Sequence, residues 1–349
     1  MSSESQVKDV LGENKEDWPE VAIIVLNWNN YEDTAECLES LEDVEYPNYE
    51  VIVVDNGSTD GSLMNLRKYL GNYPSSDTNY EENVEKSHRY SLFDFECASS
   101  IDNSSDILLF SSERNRGYSG GNNIGLGYSV ANFYDYAVVL NNDAVVDKSF
   151  LMEMAFVAED SGAGVVGGLI KDMSGDEITF SRSKYPNMLF YGVPQNDPPS
   201  KKWWGSDRVE GSAMLLTRDL LLERWNDQGY FLDPSLFLYG EEIELGIWCM
   251  KNDFEVVVAR DAVVYHEVGA SSDKLDQFYY LSRNRLLIAR KHLGWEKLIF
   301  FILFPLWRMI RAGMYALSTQ YNVSVCILKG TYHGLIGIEG EENCDNLFH

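Results

Sequence analysis

The chain has 349 residues, of which 45% are hydrophobic and 13% aromatic, and its formal net charge is −27. That is enough apolar material for one large domain or two smaller ones, while 28 Lys and Arg against 55 Asp and Glu exclude nucleic acid as a partner, since gripping phosphates takes basic side chains. Such an acidic surface suits a high-salt cytoplasm, where excess acid keeps a protein soluble.

In chain order, residues 1–18 are polar and acidic and contain no apolar h-region. They read as a disordered tail and not as a signal peptide. Val21–Asn27 (VAIIVLN) reads as a buried strand, and Tyr31–Leu41 as an amphipathic helix with Ala35, Leu38 and Leu41 on one face. Val51–Val54 is a second buried strand running into Asp55-Asn56-Gly57, and 62–70 looks helical. Strand, helix, strand, helix with uninterrupted apolar strands is the signature of a parallel α/β sheet. Residues 71–105 are polar and acidic, an inserted loop around a short strand at 90–95.

Order returns with a third strand at 106–110. A Gly-rich turn, Arg114–Asn123, then opens a helix over about 124–133. Tyr136–Asp143 (YAVVLNND) is central. Its apolar run is too short for a typical helix and suits a strand buried on both faces. The run ends in Asn141, Asn142 and Asp143. A helix at 149–160 and a strand at 164–170 follow. Residues 172–208 are irregular, suited to an acceptor-facing lid, with an aromatic and basic patch at Lys201–Trp204 that could stack on a sugar or pack on the core. An apolar run at 211–217, two β-rich runs within 255–266 and a helix at 276–292 complete the main body.

Five cysteines (Cys37, Cys97, Cys249, Cys326, Cys344) are odd in number and widely spaced, with no CxxC pair. This argues against a disulfide framework or a zinc site and fits a reducing cytosol.

Four polar residues close apolar strands: Asn27, Asp55, Asp143 and His266. In an open α/β sheet such ends gather outside the carboxyl edge, where ligands bind. A lone carboxylate there suits Mg²⁺, which takes one or two carboxylates and completes its shell with substrate phosphates and water. Asp55 could accept from a nucleobase or a ribose hydroxyl; an Asx turn is the alternative. The Gly-rich turn, including Gly121 and Asn122, offers backbone N–H groups to a phosphate. It is neither GxGxxG nor a P-loop. Glu241, Glu242 and Glu244 follow an aromatic run. On a helix Glu241 and Glu244 share a face while Glu242 projects elsewhere. A partly buried carboxylate of this kind can act as a general base; a solvated helix start is the alternative.

The ordered set VAIIVLNWNN, VIVVDNGSTDGS, NRGYSGGNNIG, VVLNNDAVV, EGSAMLLTR, FLYGEEIEL, VVYHEVGASS and YYLSRNRLL resembles glycosyltransferase family 2, in its rhamnosyltransferase-like subgroup. The resemblance covers about 21–292. It implies an α/β GT-A fold, a Rossmann-like mixed sheet flanked by helices, and an inverting, metal-assisted transfer from a nucleotide-sugar donor of UDP, GDP or dTDP type. Mg²⁺ or Mn²⁺ is the implied metal, and a saccharide or lipid-linked saccharide the implied acceptor. On this resemblance Asp55 contacts the nucleobase. Asn141-Asn142-Asp143 stands where the family has DXD, with Asp143 as the metal ligand. Glu241-Glu242 stands at the Glu-Asp pair, Glu242 being the base, and His266 falls where some members place a donor- or metal-contacting His. Asn27, Asn56, Gly121 and Asn122 complete the donor site.

Two departures stand out: Asn141 replaces the first Asp of DXD, and Glu242 replaces the usual Asp. They leave room for a second reading, a catalytically silent nucleotide-sugar-binding scaffold. A nucleotidyltransferase would want a basic phosphate-gripping stretch near the first strand, which is absent. The domain reading is 1–18 tail, 19–275 catalytic GT-A domain with the 71–105 insertion, and 276–349 a helical extension. Ten apolar residues, 298–307, and basic residues in excess over 276–320 suggest an interfacial, membrane-docking segment. A core or dimer helix is the alternative there. The expected location is the cytoplasm, at the inner face of the membrane. The acidic surface gives a first prediction: fold or activity is lost at low salt and recovered in molar KCl, and thermal melts indifferent to salt would defeat the high-salt reading.

Overall fold

The computed structural model describes Val7 and residues 10–70, 101–102, 107–184, 193–266 and 274–342. The short strand expected at 90–95 lies outside them. The chain alternates strands and helices as far as residue 161: β1 (Val21–Asn27), α1 (Tyr31–Glu42), β2 (Tyr49–Asp55), α2 (Ser62–Tyr69), β3 (Ile101–Asp102), β4 (Ile107–Ser111), α3 (Gly117–Ala131), β5 (Tyr136–Asn141), β6 (Ala144–Val146) and α4 (Phe150–Ser161). There follow β7 (Val165–Lys171), β8 (Ile178–Phe180), β9 (Arg182–Lys184), β10 (Val193–Gln195), β11 (Trp203–Gly205), β12 (Ala213–Thr217), α5 (Arg218–Gln228), α6 (Glu241–Lys251) and β13 (Val256–His266). Three helices close the chain: α7 (Lys274–His292), α8 (Lys297–Leu317) and α9 (Tyr321–Ile336).

Among the described residues one mixed sheet runs in the order β11-β13-β7-β12-β5-β1-β2-β4-β3. The β5-β1-β2-β4 segment is parallel, and β12 enters antiparallel between β5 and β7. Strands β1, β2 and β5 are buried on both faces, as their unbroken apolar runs require.

Three local expectations are corrected. The Gly-rich turn is itself helical, forming the first turns of α3. The irregular 172–208 stretch carries short strands, and Trp203–Gly205 is an edge strand on β13. There Trp204 is buried and the Trp203 indole donates to Asp160 at 2.7 Å, so the Lys201–Trp204 patch packs on the body of the protein. The two β-rich runs near 260 form the single strand β13, with an irregularity between Val258 and Val263.

The tail expectation also changes. Val7, Leu11 and Trp18 are buried in the main core, and the Trp18 ring packs tilted against Tyr46 at 5.5 Å between centroids. Apolar side chains spaced through an acidic stretch are enough to hold it down. Cys37 and Cys249 are buried thiols, whereas Cys326 is disulfide-bonded, contrary to the expectation of reduced cysteines.

Helix α3 lies unusually close to β1. A Cβ on Gly121 would come within 2.4 Å of Leu26 Cδ1, and one on Gly125 within 2.6 and 2.8 Å of the branched Ile24 side chain. Glycines four apart therefore form a groove that admits the strand. Gly125→Ala is expected to destabilise by about 1–3 kcal/mol through overpacking. Gly313→Ala, in a helix with nothing within 4 Å of the new methyl, should instead gain a fraction of a kcal/mol, on the order of the Gly-to-Ala helix difference. Chemical denaturation of both variants checks the contrast.

Candidate active site

The parallel register sets the site. Asn27 pairs with Asp55, and Leu26 with Asn141, so β1, β2 and β5 end together. A polar network runs across this edge. The Asn27 amide donates to Asp55 Oδ1 at 2.7 Å and Ser58 Oγ at 3.1 Å, and its carbonyl accepts from Thr34 at 2.8 Å. Asn142 donates to Thr34 Oγ1 at 3.0 Å, and the Ser58 amide donates to Asp55 Oδ2 at 3.1 Å. Both amide hydrogens of Asn27 are thus engaged within the protein, and the residue braces Asp55. Each Asp55 oxygen accepts one of these bonds and keeps a further lone pair for a ligand.

Asn56 is likewise engaged. It donates to Asn115 Oδ1 and the Gly117 carbonyl, both at 3.0 Å, and accepts from the Arg116 amide. It pins the turn before α3 onto β2. At the start of α3 the Gly117 amide donates to Asn115 Oδ1 at 2.8 Å and the Tyr118 amide to the Phe237 carbonyl at 2.7 Å. Two of the N–H groups expected to cradle a diphosphate are therefore already satisfied. Gly121 faces Leu26 and Asn56, so close packing, not approach to a ligand, demands glycine there. Asn122 donates to Tyr118 O, and its Oδ1 is buried without a hydrogen-bond partner.

On the other side of β5 the chain turns through Asn141–Asp143 into β6, which pairs with the end of β13 and sets His266 opposite Ala144. His266 Nε2 lies 3.1 Å from Asp143 Oδ1 with both side chains buried. The sequence places these residues 123 positions apart; the sheet brings them into contact.

The third component is the loop into α6. Phe237, Tyr239 and Gly240 adopt left-handed backbone at φ 63°, 68° and 103°, a conformation bulky residues occupy only when their surroundings enforce it. The enforcement comes from α7. Asn284 Nδ2 donates to the carbonyls of Leu236, Leu238 and Tyr239 at 2.6–3.0 Å, and Arg283 donates to Leu236 O at 2.8 Å. The loop delivers Glu241 and Glu242 as the first residues of α6. Their environments differ. Glu241 is buried, with Oε1 lacking a partner. Burial, reinforced by the Glu242 charge, raises its pKa from 4.5 to about 8. Glu242 is 17% exposed and its Oε1 sits 3.3 Å from Arg208, whose same nitrogen also lies 3.3 Å from Glu210. Glu244 points the opposite way into a buried cluster with Arg224, Lys291 and His292. Burial pushes its pKa up, but Arg224 and His292 hold it below the usual range.

These groups converge. The Tyr118 hydroxyl donates to Gly211 O at 2.5 Å. Burial and then the charges of Glu241, Glu242, Glu210 and Asp143 raise its pKa well above the usual value. Strand-end and loop carboxylates therefore act together on one half-buried tyrosine. The half-buried Glu210 also has a raised pKa, from desolvation opposed by Arg208. Arg208, Glu210, Tyr118 and Asn284 were not singled out from the sequence. Asn284 left a trace, since an Asn inside a helix is out of place unless its side chain serves the backbone elsewhere.

The residues suit a divalent cation held partly by its ligand. Asp143 and His266 supply two donors, and the buried Asn141 Oδ1 has no hydrogen-bond partner. No group of three or more His, Cys, Asp or Glu forms a closed cage among the described residues, so phosphate oxygens and water would complete the shell.

A mixed sheet with its carboxylates gathered at the parallel strand ends has the architecture of the GT-A fold. The profile of the glycosyltransferase-like family 2 matches residues 19–279, and the chain belongs to that family. It is similar to the low-salt glycan biosynthesis hexosyltransferase Agl10 of Haloferax volcanii, 25% identical over 193 residues, which cover 53% of this chain and 60% of the relative. The chain thus spans less than two thirds of that relative's length. Among solved structures, the mannosyltransferase PcManGT of Pyrobaculum calidifontis, in complex with GDP-Man and Mn²⁺, superposes with a TM-score of 0.54 at 16% identity, covering 91% of this chain and 87% of its own. S. aureus TarS 1–349 in complex with UDP-GlcNAc does so at 0.51 and 15%, covering 91% and 83%.

The raised pKa of Glu241 has a thermodynamic consequence. The folded state keeps the proton between pH 4.5 and 8 while the unfolded chain releases it, so this residue's effect on stability worsens as pH rises through that window. Glu241→Gln should match the wild type near pH 4.5. By pH 8 it should be more stable by a few kcal/mol, since each pH unit crossed in that window adds about 1.4 kcal/mol. Urea unfolding across that range with EDTA present checks it, and a pH-independent difference would refute the assignment.

Proposed function

We propose that the protein is an inverting glycosyltransferase that moves a sugar from a nucleoside-diphosphate donor to an acceptor hydroxyl on a saccharide, free or lipid-linked. The observation that carries this reading is that Asp143, paired with His266, and Glu242, paired with Arg208, both act on the Tyr118 hydroxyl, while Asp55 stands at the strand edge from which the chain runs on to Asp143. In this reading Asp55, steadied by Asn27 and Ser58, accepts from the nucleobase or the ribose. Asp143 and His266 would hold Mg²⁺ or Mn²⁺ together with the donor diphosphate. The metal would supply charge neutralisation for the departing diphosphate. PcManGT, of the same fold, was solved with GDP-Man and Mn²⁺, which supports that choice.

Glu242 is the base in this scheme. Its partial exposure puts it within reach of an acceptor, whereas Glu241 keeps its proton at neutral pH. Glu242 takes the acceptor O–H proton as that oxygen bonds to the anomeric carbon. The bond from that carbon to the diphosphate oxygen breaks on the opposite face, and its electron pair leaves with the nucleoside diphosphate. The carbon passes through an oxocarbenium-like state, as in glycoside hydrolysis. Arg208 positions the Glu242 carboxylate, and Glu241 Oε1 and Asn122 Oδ1, both without partners, are acceptors suited to sugar hydroxyls.

Thermal shift against UDP, GDP and dTDP, each with Mn²⁺ or EDTA, tests donor binding. One nucleotide should stabilise the chain in a metal-dependent manner, by about 2.7 kcal/mol at a hundredfold excess over Kd, and Asp143→Ala should abolish the shift. Glu242→Gln should keep the shift and lower turnover at least ~100-fold, the scale of a lost general base. Full turnover by Glu242→Gln removes Glu242 from that role. Nucleotide binding with no turnover by the wild type against any saccharide acceptor would favour the silent scaffold.

A further inference from the structure

Helix α8 has two opposed stripes at four-residue spacing. Phe300, Phe304, Arg308 and Ala312 are buried, and Arg308 donates to Ser282 Oγ and to Phe278 O in α7. On the far side Leu298, Ile302, Leu306, Ile310 and Met314 are 52–70% exposed. A water-facing stripe on a soluble helix is polar; this one is as apolar as the core. The helix runs unbroken through Pro305, and it is the one helix among the described residues long and apolar enough to cross a membrane. After a turn of three residues, α9 also exposes apolar side chains at Val325, Leu328 and Leu335. Most of the large apolar side chains exposed on the described surface belong to this helical hairpin. A patch of that extent marks an interaction site.

The hairpin is also free of acid. No Asp or Glu occurs from Lys297 to Ile338, in a chain with 55 of them. Much of the basic excess noted in the sequence is engaged within the protein: Arg283 and Arg308 are buried, Arg290 donates to Gly334 and Leu335 carbonyls, and Lys291 pairs with Asp233 and Glu244, while Arg285 and Arg311 are half-buried and Lys297 is exposed. What the hairpin presents is apolar surface with little charge. Trp295, Tyr321 and Tyr332 are each at least 60% exposed near its ends, where amphipathic rings suit the boundary between hydrocarbon and water.

We infer that the outer face of the α8–α9 hairpin docks in the plane of a lipid bilayer, Leu298, Ile302, Leu306, Ile310 and Met314 entering the acyl boundary. The side chains of this stripe offer no hydrogen bond, whereas a standard protein interface carries about ten; hydrocarbon asks for none. In-plane docking preserves the Arg308 bonds to α7, which a spanning α8 would have to break. The inference is independent of the reading of the active site.

The test is flotation of the full chain with vesicles of phosphatidylcholine and a minority of phosphatidylglycerol, in molar KCl to screen the chain's charge. The wild type should float. The triple variant Ile302→Glu, Leu306→Glu, Ile310→Glu should lose more than about tenfold in partitioning, because it removes three of the side chains that enter the acyl boundary. Its thermal melt should match the wild type, because those positions are exposed. A control, Met64→Glu, alters an exposed apolar residue elsewhere and should float like the wild type. Wild type remaining in the aqueous fraction overturns the inference, as does a folded triple variant that floats equally. A lipid-free dimer by light scattering that the triple substitution splits also overturns it and assigns the face to a second copy.

Discussion

The parallel register of β1 with β2 and β5 is the constraint on which the site depends. Buried strands of this kind can neither slip nor fray, because a one-residue shift would turn core side chains to the wrong face. Their ends are therefore fixed together, and whatever residues stand there share one edge. Asn27, Asp55 and Asn141 occupy it. The network through Thr34 and Asn142 converts a row of strand ends into a braced surface, with Asp55 held by Asn27 and Ser58. The groove of Gly121 and Gly125 lets α3 sit directly on β1, and so brings Tyr118 to the same edge.

The second half of the site depends on a different device. The loop before α6 cannot hold left-handed Phe237 and Tyr239 by itself, and its carbonyls need donors. Asn284 and Arg283 of α7 supply them. Helix α9 packs against the opposite side of α7, where Gly330 and Gly334 leave no room for a Cβ beside the Tyr279 and Arg283 carbonyls. Helix α8 bonds to α7 through Arg308. The three C-terminal helices thus form the buttress of the loop that carries Glu241 and Glu242. A change in how the hairpin is seated would reach those carboxylates through α7 and through Phe300 and Phe304, which share a core cluster with Leu236 of the loop and Ile243 and Ile247 of α6.

The strands were legible because their apolar runs are unbroken, and Asp55, Asp143 and His266 because each closes such a run. Composition misled at the Gly-rich turn. Glycine serves close helix–strand packing and phosphate approach equally well, and only the position of Leu26 and Ile24 shows that packing is what Gly121 and Gly125 provide. Arg208 and Glu210 were not legible, for their significance lies in facing Glu242 across 34 and 32 residues of chain. The basic excess in α7 and α8 was visible, yet its direction was not. A helical count gives spacing, and the packing of α7 against two partners decides which side of it is inside.

The charges of the site argue together. Asp143, Glu210, Glu241 and Glu242 all act on the Tyr118 hydroxyl, with Arg208 bridging two of them and His266 beside a third. Gathering like charges in a region of low dielectric is costly, and the fold meets the cost in two ways: Glu241 keeps its proton, and Glu210 is driven in the same direction. What remains is an excess of negative charge around the Tyr118 hydroxyl, with Asp143 among its sources. In the proposed function a cation bound beside Asp143 would relieve that repulsion and make room for an anionic donor. The Asn at position 141 then has a physical reading. It places an amide where a second carboxylate would add to the crowding, and it keeps an oxygen without a hydrogen-bond partner at that edge.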